Sequence, residues 1–146
     1  MKKFILAALL IWGVTGYALA ADFSGTYKCH LTDHSDGPFD DATLTFKLNP
    51  KASFLNSGYA SYDIKYHVGG VPYDYTGIAV ARGNDLAIYF ESTGAKKDAD
   101  DRGVGIATVV LDQDKSGKNV VSLHKFYYEN SYKGKSNYGF EECTKA

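Results

Sequence analysis

The chain of 146 residues carries only two cysteines, one methionine and one tryptophan. The cysteines, Cys29 and Cys143, stand near opposite ends of the chain, and no C-x-x-C occurs. That spacing encodes no dithiol redox pair, and a zinc site would need two further ligands near both thiols. A basic excess is also missing, since 16 Lys and Arg stand against 17 Asp and Glu. Without a basic stripe, nucleic acid is not an expected partner. Long apolar runs are absent too. The longest, Phe4 to Val14, falls short of the roughly 20 residues that span a bilayer, so no membrane span is expected. No G-x-S-x-G, H-E-x-x-H or P-loop occurs, and four histidines are scattered without ligand spacing. The expectation is a protein without catalytic chemistry, cofactor or bound metal.

What is present begins with a leader. Lys2 and Lys3 precede the apolar run, and Ala18-Leu19-Ala20 supplies the small residues of a cleavage site. Residues 1–20 therefore read as a secretory signal peptide, and 21–146 as one mature domain in the periplasm or outside the cell. Without Lys2 and Lys3 the charge balance shifts to 14 basic against 17 acidic residues. An oxidising compartment lets two thiols pair, and an even count predicts a Cys29–Cys143 disulfide.

The mature chain alternates apolar and polar residues with a period of two, the signature of strands. FSGTYKCHL, ATLTFKLN, YASYDIKYHV, VPYDYTGIAVA, DLAIYFES, VGIATVVLD, NVVSLHKFYYE and SNYGFEECT all carry it. Turn residues separate them, among them Asp36-Gly37-Pro38, Gly69-Gly70, Gly83-Asn84-Asp85 and Lys115-Ser116-Gly117-Lys118. Only KKDADDR and the stretch from Pro50 to Asn56 accommodate a helical turn. The fold class is all-β, an eight-stranded antiparallel meander closing into a barrel, with a two-sheet sandwich as the alternative. Closure sets the first strand beside the last, where the two cysteines sit. Two runs break phase. PYDYTGIAV shifts its apolar residues from odd to even positions at Gly77, which predicts a bulge or kink there. Tyr138 and Phe140 conflict with Cys143, which predicts a bulge near Gly139 or a strand ending at Cys143.

Candidate sites are few. DQDKSG matches the start of a calcium loop through Asp112, Asp114 and Ser116, but Leu123 stands where the bidentate glutamate belongs. A polar turn is the better reading. Asp98, Asp100 and Asp101, and the group from Asp33 to Asp41, read as solvated loops. The tyrosines stand out, because each offers an apolar body and a polar tip. Tyr62, Tyr66, Tyr73, Tyr75 and Tyr127 are the expected lining of a barrel pocket of a few hundred cubic ångströms, holding a small apolar or amphipathic ligand. The bulky inward residues Leu44, Phe46, Ile64, Tyr66, Ile88 and Phe90 weigh against open space.

Gly25-Thr26-Tyr27 in FSGTYKC resembles the opening strand of calycin barrels, the lipocalin, avidin and fatty-acid-binding group. That resemblance implies a small ligand inside the barrel. Tyr27-Lys28-Cys29 with Cys143 is also similar to bacterial periplasmic inhibitors of c-type lysozyme, small barrels closed by such a bond. This second resemblance implies a protein target met by an exposed loop, here the segment with Ser92, Lys96 and Lys97. Ser92-Thr93-Gly94-Ala95-Lys96 departs from the Ser/Gly-rich motif of that family.

Overall fold

A computed structural model describes residues 21–72, 74–94 and 101–146. The strands are β1 (Gly25–Asp33), β2 (Gly37–Leu48), β3 (Tyr59–Val68), β4 (Tyr75–Arg82), β5 (Asp85–Ser92), β6 (Arg102–Gln113), β7 (Asn119–Tyr132) and β8 (Lys135–Lys145). Each pairs antiparallel with its sequence neighbours, and β1 pairs with β8, so the sheet closes into a barrel rather than splitting into a sandwich. Single 3-10 turns at Pro50–Ala52 and Leu55–Ser57 fill the β2–β3 connection. Pro50 presets the first turn, and the Asn49 side chain caps it.

Cys29 and Cys143 are direct cross-strand partners at the β1–β8 seam and form a disulfide with an S–S distance of 2.01 Å. The bond ties the start of the barrel wall to its end.

Period-two alternation fills the interior. Tyr27, Cys29 and Leu31 point inward from β1, Leu44 and Phe46 from β2, Tyr62, Ile64 and Tyr66 from β3, and Ile88 and Phe90 from β5. Small residues face this bulk: Ala79 and Ala81 on β4, and Gly103, Gly105 and Ala107 on β6. Large against small is how a narrow barrel reaches close packing.

Those small residues also correct two expectations. β4 does not kink at Gly77. Its register against β3 and β5 runs unbroken, with Tyr75, Gly77, Ala79 and Ala81 inward and Ile78 and Val80 outward. The glycine is there because a Cβ would strike the Tyr89 carbonyl and the Phe90 backbone. β8 likewise keeps one phase through Gly139 to Cys143; Tyr138 and Phe140 lie outside the barrel. The one register shift in β1–β2 falls at His30, opposite Asp40 and Asp41.

The two barrel ends differ. At one, Phe23 folds in as a plug: its N–H donates to the Tyr62 hydroxyl at 3.1 Å, and its carbonyl accepts from the Tyr27 hydroxyl at 2.9 Å. Rings of Phe46 and Tyr62 meet edge to face beneath it. The opposite end, where β1 leaves at Asp33 and β8 enters at Lys135, is polar inside. The outer wall differs around the circumference too. β1 to β3 present Lys28, His30, Thr43, Lys47, Asp63, Lys65 and His67, whereas β4 to β8 present Ile78, Val80, Tyr89, Val104, Ile106, Phe126, Tyr128, Tyr138 and Phe140. Among the described residues, no helix is long and apolar enough to cross a membrane.

Candidate functional site at the polar end of the barrel

Five charged side chains are buried among the described residues: Asp33, Asp101, Lys125, Glu129 and Glu141. All five belong to the inward phase of β1, β7 and β8 or lie just before β6. Four are carboxyls and one is an ammonium, and such groups stay buried only when paired or hydrogen-bonded.

Lys125 pairs with Glu141 at 2.6 Å, their side chains 3% and 1% exposed. The ammonium also sits over the rings of Tyr66, Phe90 and Tyr127, between 4.9 and 5.2 Å from each centroid. Three aromatic faces and one carboxylate thus hold this buried cation.

Asp33 organises the next layer. Its Oδ2 accepts from the Tyr127 hydroxyl at 2.6 Å and from Asn137 Nδ2 at 2.7 Å. Its Oδ1 accepts from the backbone N–H groups of Ser35 and Asp36, which shapes the β1–β2 turn. Asn137 is shared, because Nδ2 also donates to Glu129 Oε2 at 2.8 Å.

Glu129 and Asp101 complete the cluster. Burial drives the Glu129 carboxyl up to about 8, the neighbouring Asp101 charge adds to the rise, and the Asn137 bond opposes it. Asp101 is raised as well, chiefly by burial and against the bond it accepts from Tyr75. That bond, Tyr75 hydroxyl to Asp101 Oδ2, measures 2.6 Å. Asp101 Oδ1 has no N–H or hydroxyl donor of its own. Burial therefore favours the protonated form of the Glu129 carboxyl beside Asp101 near neutral pH.

A cavity of about 40 Å³ opens among Tyr66, Tyr75, Phe90, Lys125, Tyr127 and Glu129. Its volume corresponds to roughly three water-sized spheres. Among the described residues, the space beside these tyrosines is far smaller than the few hundred cubic ångströms expected from the sequence, because the rings of Tyr66, Tyr75, Phe90 and Tyr127 pack one on the next across the barrel with centroid spacings near 6 Å. Apolar Leu31, Phe39, Val68 and Val71 border the cavity. The Tyr66 hydroxyl is buried beside it without a hydrogen-bond partner. Burial, and then the nearby Glu141 charge, hold that phenol well above its ordinary range.

The structure brings Tyr66, Tyr75 and Tyr127 together at this site. Tyr62 is not with them; its hydroxyl donates to the Ala21 carbonyl at the plugged end. Tyr73 lies outside the described residues, as do Lys96 and Lys97 of the loop compared with the inhibitors. Ser92 ends β5 at the polar end, and its N–H donates to the Asp101 carbonyl at 2.8 Å. Asp114 is engaged by its own turn, since Oδ1 accepts from the N–H and hydroxyl of Ser116 and from the Lys118 N–H. Cys29, Cys143 and Glu141 lie close together, but the sulfurs are spent in the disulfide.

Asp33 and Asp101, expected from the sequence on solvated loops, are instead buried in the barrel end, and Lys125, Glu129, Asn137 and Glu141 drew no expectation from the sequence. The signal was available in phase: Lys125 and Glu129 share parity with Tyr127, and Asn137 and Glu141 share it with Cys143. Comparison with family models, with characterised proteins and with solved structures returned no match.

Proposed function

We propose that this chain is an exported, non-enzymatic binding protein whose polar barrel end takes the cationic head of a small amphipathic molecule. The carrying observation is the imbalance, among the described residues, of four buried carboxyls against one buried ammonium. Lys125 offsets Glu141, and among the described residues no second buried cation stands against Asp33 and the Asp101–Glu129 pair. A protonated amine entering there meets carboxylate oxygens and the partnerless Tyr66 hydroxyl, and it takes the place of the proton on Glu129. The cavity admits a head group only. The apolar remainder rests on Phe39, Val68 and Val71 at the border, which are wholly or partly buried against the core.

The test compares octylamine, octanol and octanoate at equal concentration by thermal shift and titration calorimetry. The amine is expected to raise the melting temperature and the other two are not. Asp101→Asn together with Glu129→Gln should abolish the amine response while the protein remains folded. Equal shifts from all three compounds, or none from the amine at millimolar concentration, would refute the reading.

A further inference from the structure

The outer wall of β4 to β8 carries three transverse rows that run across the strands in register. One row is Ile78, Tyr89, Val104, Tyr128 and Tyr138; the next is Val80, Ala87, Ile106, Phe126 and Phe140. A third, nearer the plugged end, is Arg82, Asp85, Thr108, His124 and Glu142. Ile106 is 67% exposed, and both apolar rows, the small Ala87 included, are open to solvent. A groove of about 710 Å³ runs along the second and third rows, lined by Val80, Ala87, Ile106, Phe126 and Phe140 among others. Monomeric proteins seldom leave so continuous an apolar face uncovered.

Read from β4 to β8, the charged row runs positive, negative, neutral, basic, negative. It is complementary to its own reverse. We infer that this face is the interface of a two-fold dimer of the chain, with the axis parallel to β6. Such an axis sets β4 of one copy against β8 of the other, β5 against β7, and β6 against itself. Arg82 then meets Glu142 of the second copy, and Asp85 meets His124. The apolar rows match by size: small Ala87 opposes Phe126, Val80 opposes Phe140, and Ile106 and Val104 pack on their own copies at the axis. Tyr89 opposes Tyr128. A face that is its own complement is what an isologous contact requires.

Five strands at about 4.8 Å and three residue rows at about 6.7 Å give roughly 24 by 20 Å, at the small end of interface sizes, and because the wall curves with the closed barrel the contact is tightest along β6. Within one copy, Glu142 lies 4.0 Å from His124 along the face, while Arg82 sits over the Tyr59 ring of β3 at the edge of the face and swings inward to meet the second copy. Nearer the polar end, Arg102 falls on the axis with Glu91 as its cross-strand neighbour.

Sedimentation velocity on the disulfide-bonded protein across micromolar concentrations should give twice the mass of the chain. Ile106→Glu places a carboxylate against its own copy and should weaken association by roughly a hundredfold. Arg82→Glu and Glu142→Arg should each weaken it, and the double swap should restore it. Those two residues sit on opposite edges of the face, so restoration can only act between copies. Circular dichroism of each variant confirms the barrel. A monomer throughout the range, an undisturbed Ile106→Glu dimer, or a double swap no tighter than the singles would overturn the inference.

Discussion

Tyr127 on β7 lies against the bare backbone of its cross-strand partner, Gly139 on β8. A Cβ on that glycine would clash with the Tyr127 hydroxyl oxygen and its Cζ. The absent side chain gives the ring its path to Asp33, where the hydroxyl donates at 2.6 Å. Gly139→Ala should therefore displace Tyr127 and cost about 2–3 kcal/mol, the scale of overpacking a tight core. Tyr127→Phe removes only the bond and should cost about 1–2 kcal/mol. Urea unfolding measures both. An alanine variant as stable as the parent would show that the ring is not confined by the glycine.

Stability should fall as pH rises from 5 to 8. The folded-state pKa of Glu129 is about 8 against an ordinary 4.5. Between those values the folded protein holds a proton that the unfolded chain has released, so unfolding becomes easier with each pH unit, by at most about 1.4 kcal/mol. The contribution is whole below the ordinary value, is lost through about pH 8, and is flat above it. Asp22, Asp36 and Asp114 are shifted downward and act only in the acid range below this window. Melting curves from pH 5 to 9 should show the decline, and Glu129→Gln should flatten it. A parent protein that is level across the window would contradict a Glu129 carboxyl held protonated by burial.

The barrel was legible because its determinants are local. Period-two runs separated by turn residues name the strands, and the two thiols name the seam. What failed was phase on β4 and β8. Aromatic and β-branched residues such as Tyr138, Phe140 and Ile78 point, on hydrophobicity alone, to the inner face. In fact the inner face there belongs to Gly77, Ala79, Gly139 and Glu141, because bulk from β2, β3 and β5 already fills the space. Cys143, fixed inward by its bond to Cys29, was the reliable marker, and counting back from it by twos reaches Glu141 and Asn137. Asp101 had no such marker, since its partners Tyr75 and Glu129 meet it only once the barrel closes.

Lys125→Met should be strongly destabilising. It leaves Glu141 buried without its 2.6 Å partner, a loss of about 3–5 kcal/mol. Pairing Lys125→Met with Glu141→Gln should recover most of that, because no uncompensated charge remains. Guanidinium unfolding of the two variants gives the comparison. If the double variant is no more stable than the single, the lysine acts through its contacts with the three rings rather than through the ion pair.

Cys143→Ser should lower stability in step with the loop its bond closes. The cysteines are 114 residues apart, and a loop of that size is worth about 4–5 kcal/mol in the chain-entropy model. Equilibrium unfolding of the variant beside the oxidised parent provides the check. A difference below about 1 kcal/mol would mean that the seam holds through its ladder and side chains alone.

Every strand pairing but one joins neighbours in sequence; the exception is β1 with β8. At that seam Tyr27 stands opposite Lys145, and the Ala146 N–H reaches the Thr26 carbonyl at 2.9 Å. The two ends of the described chain therefore lie side by side, and the barrel is a ring of hairpins whose nick happens to fall between β8 and β1. A short linker across it, with new ends opened at the exposed Gly83–Asn84 turn, would give a circularly permuted chain with the same wall. In that chain the seam pairing becomes a local contact and β4–β5 becomes the distant one, so the slow, long-range step of folding moves to the other side of the barrel.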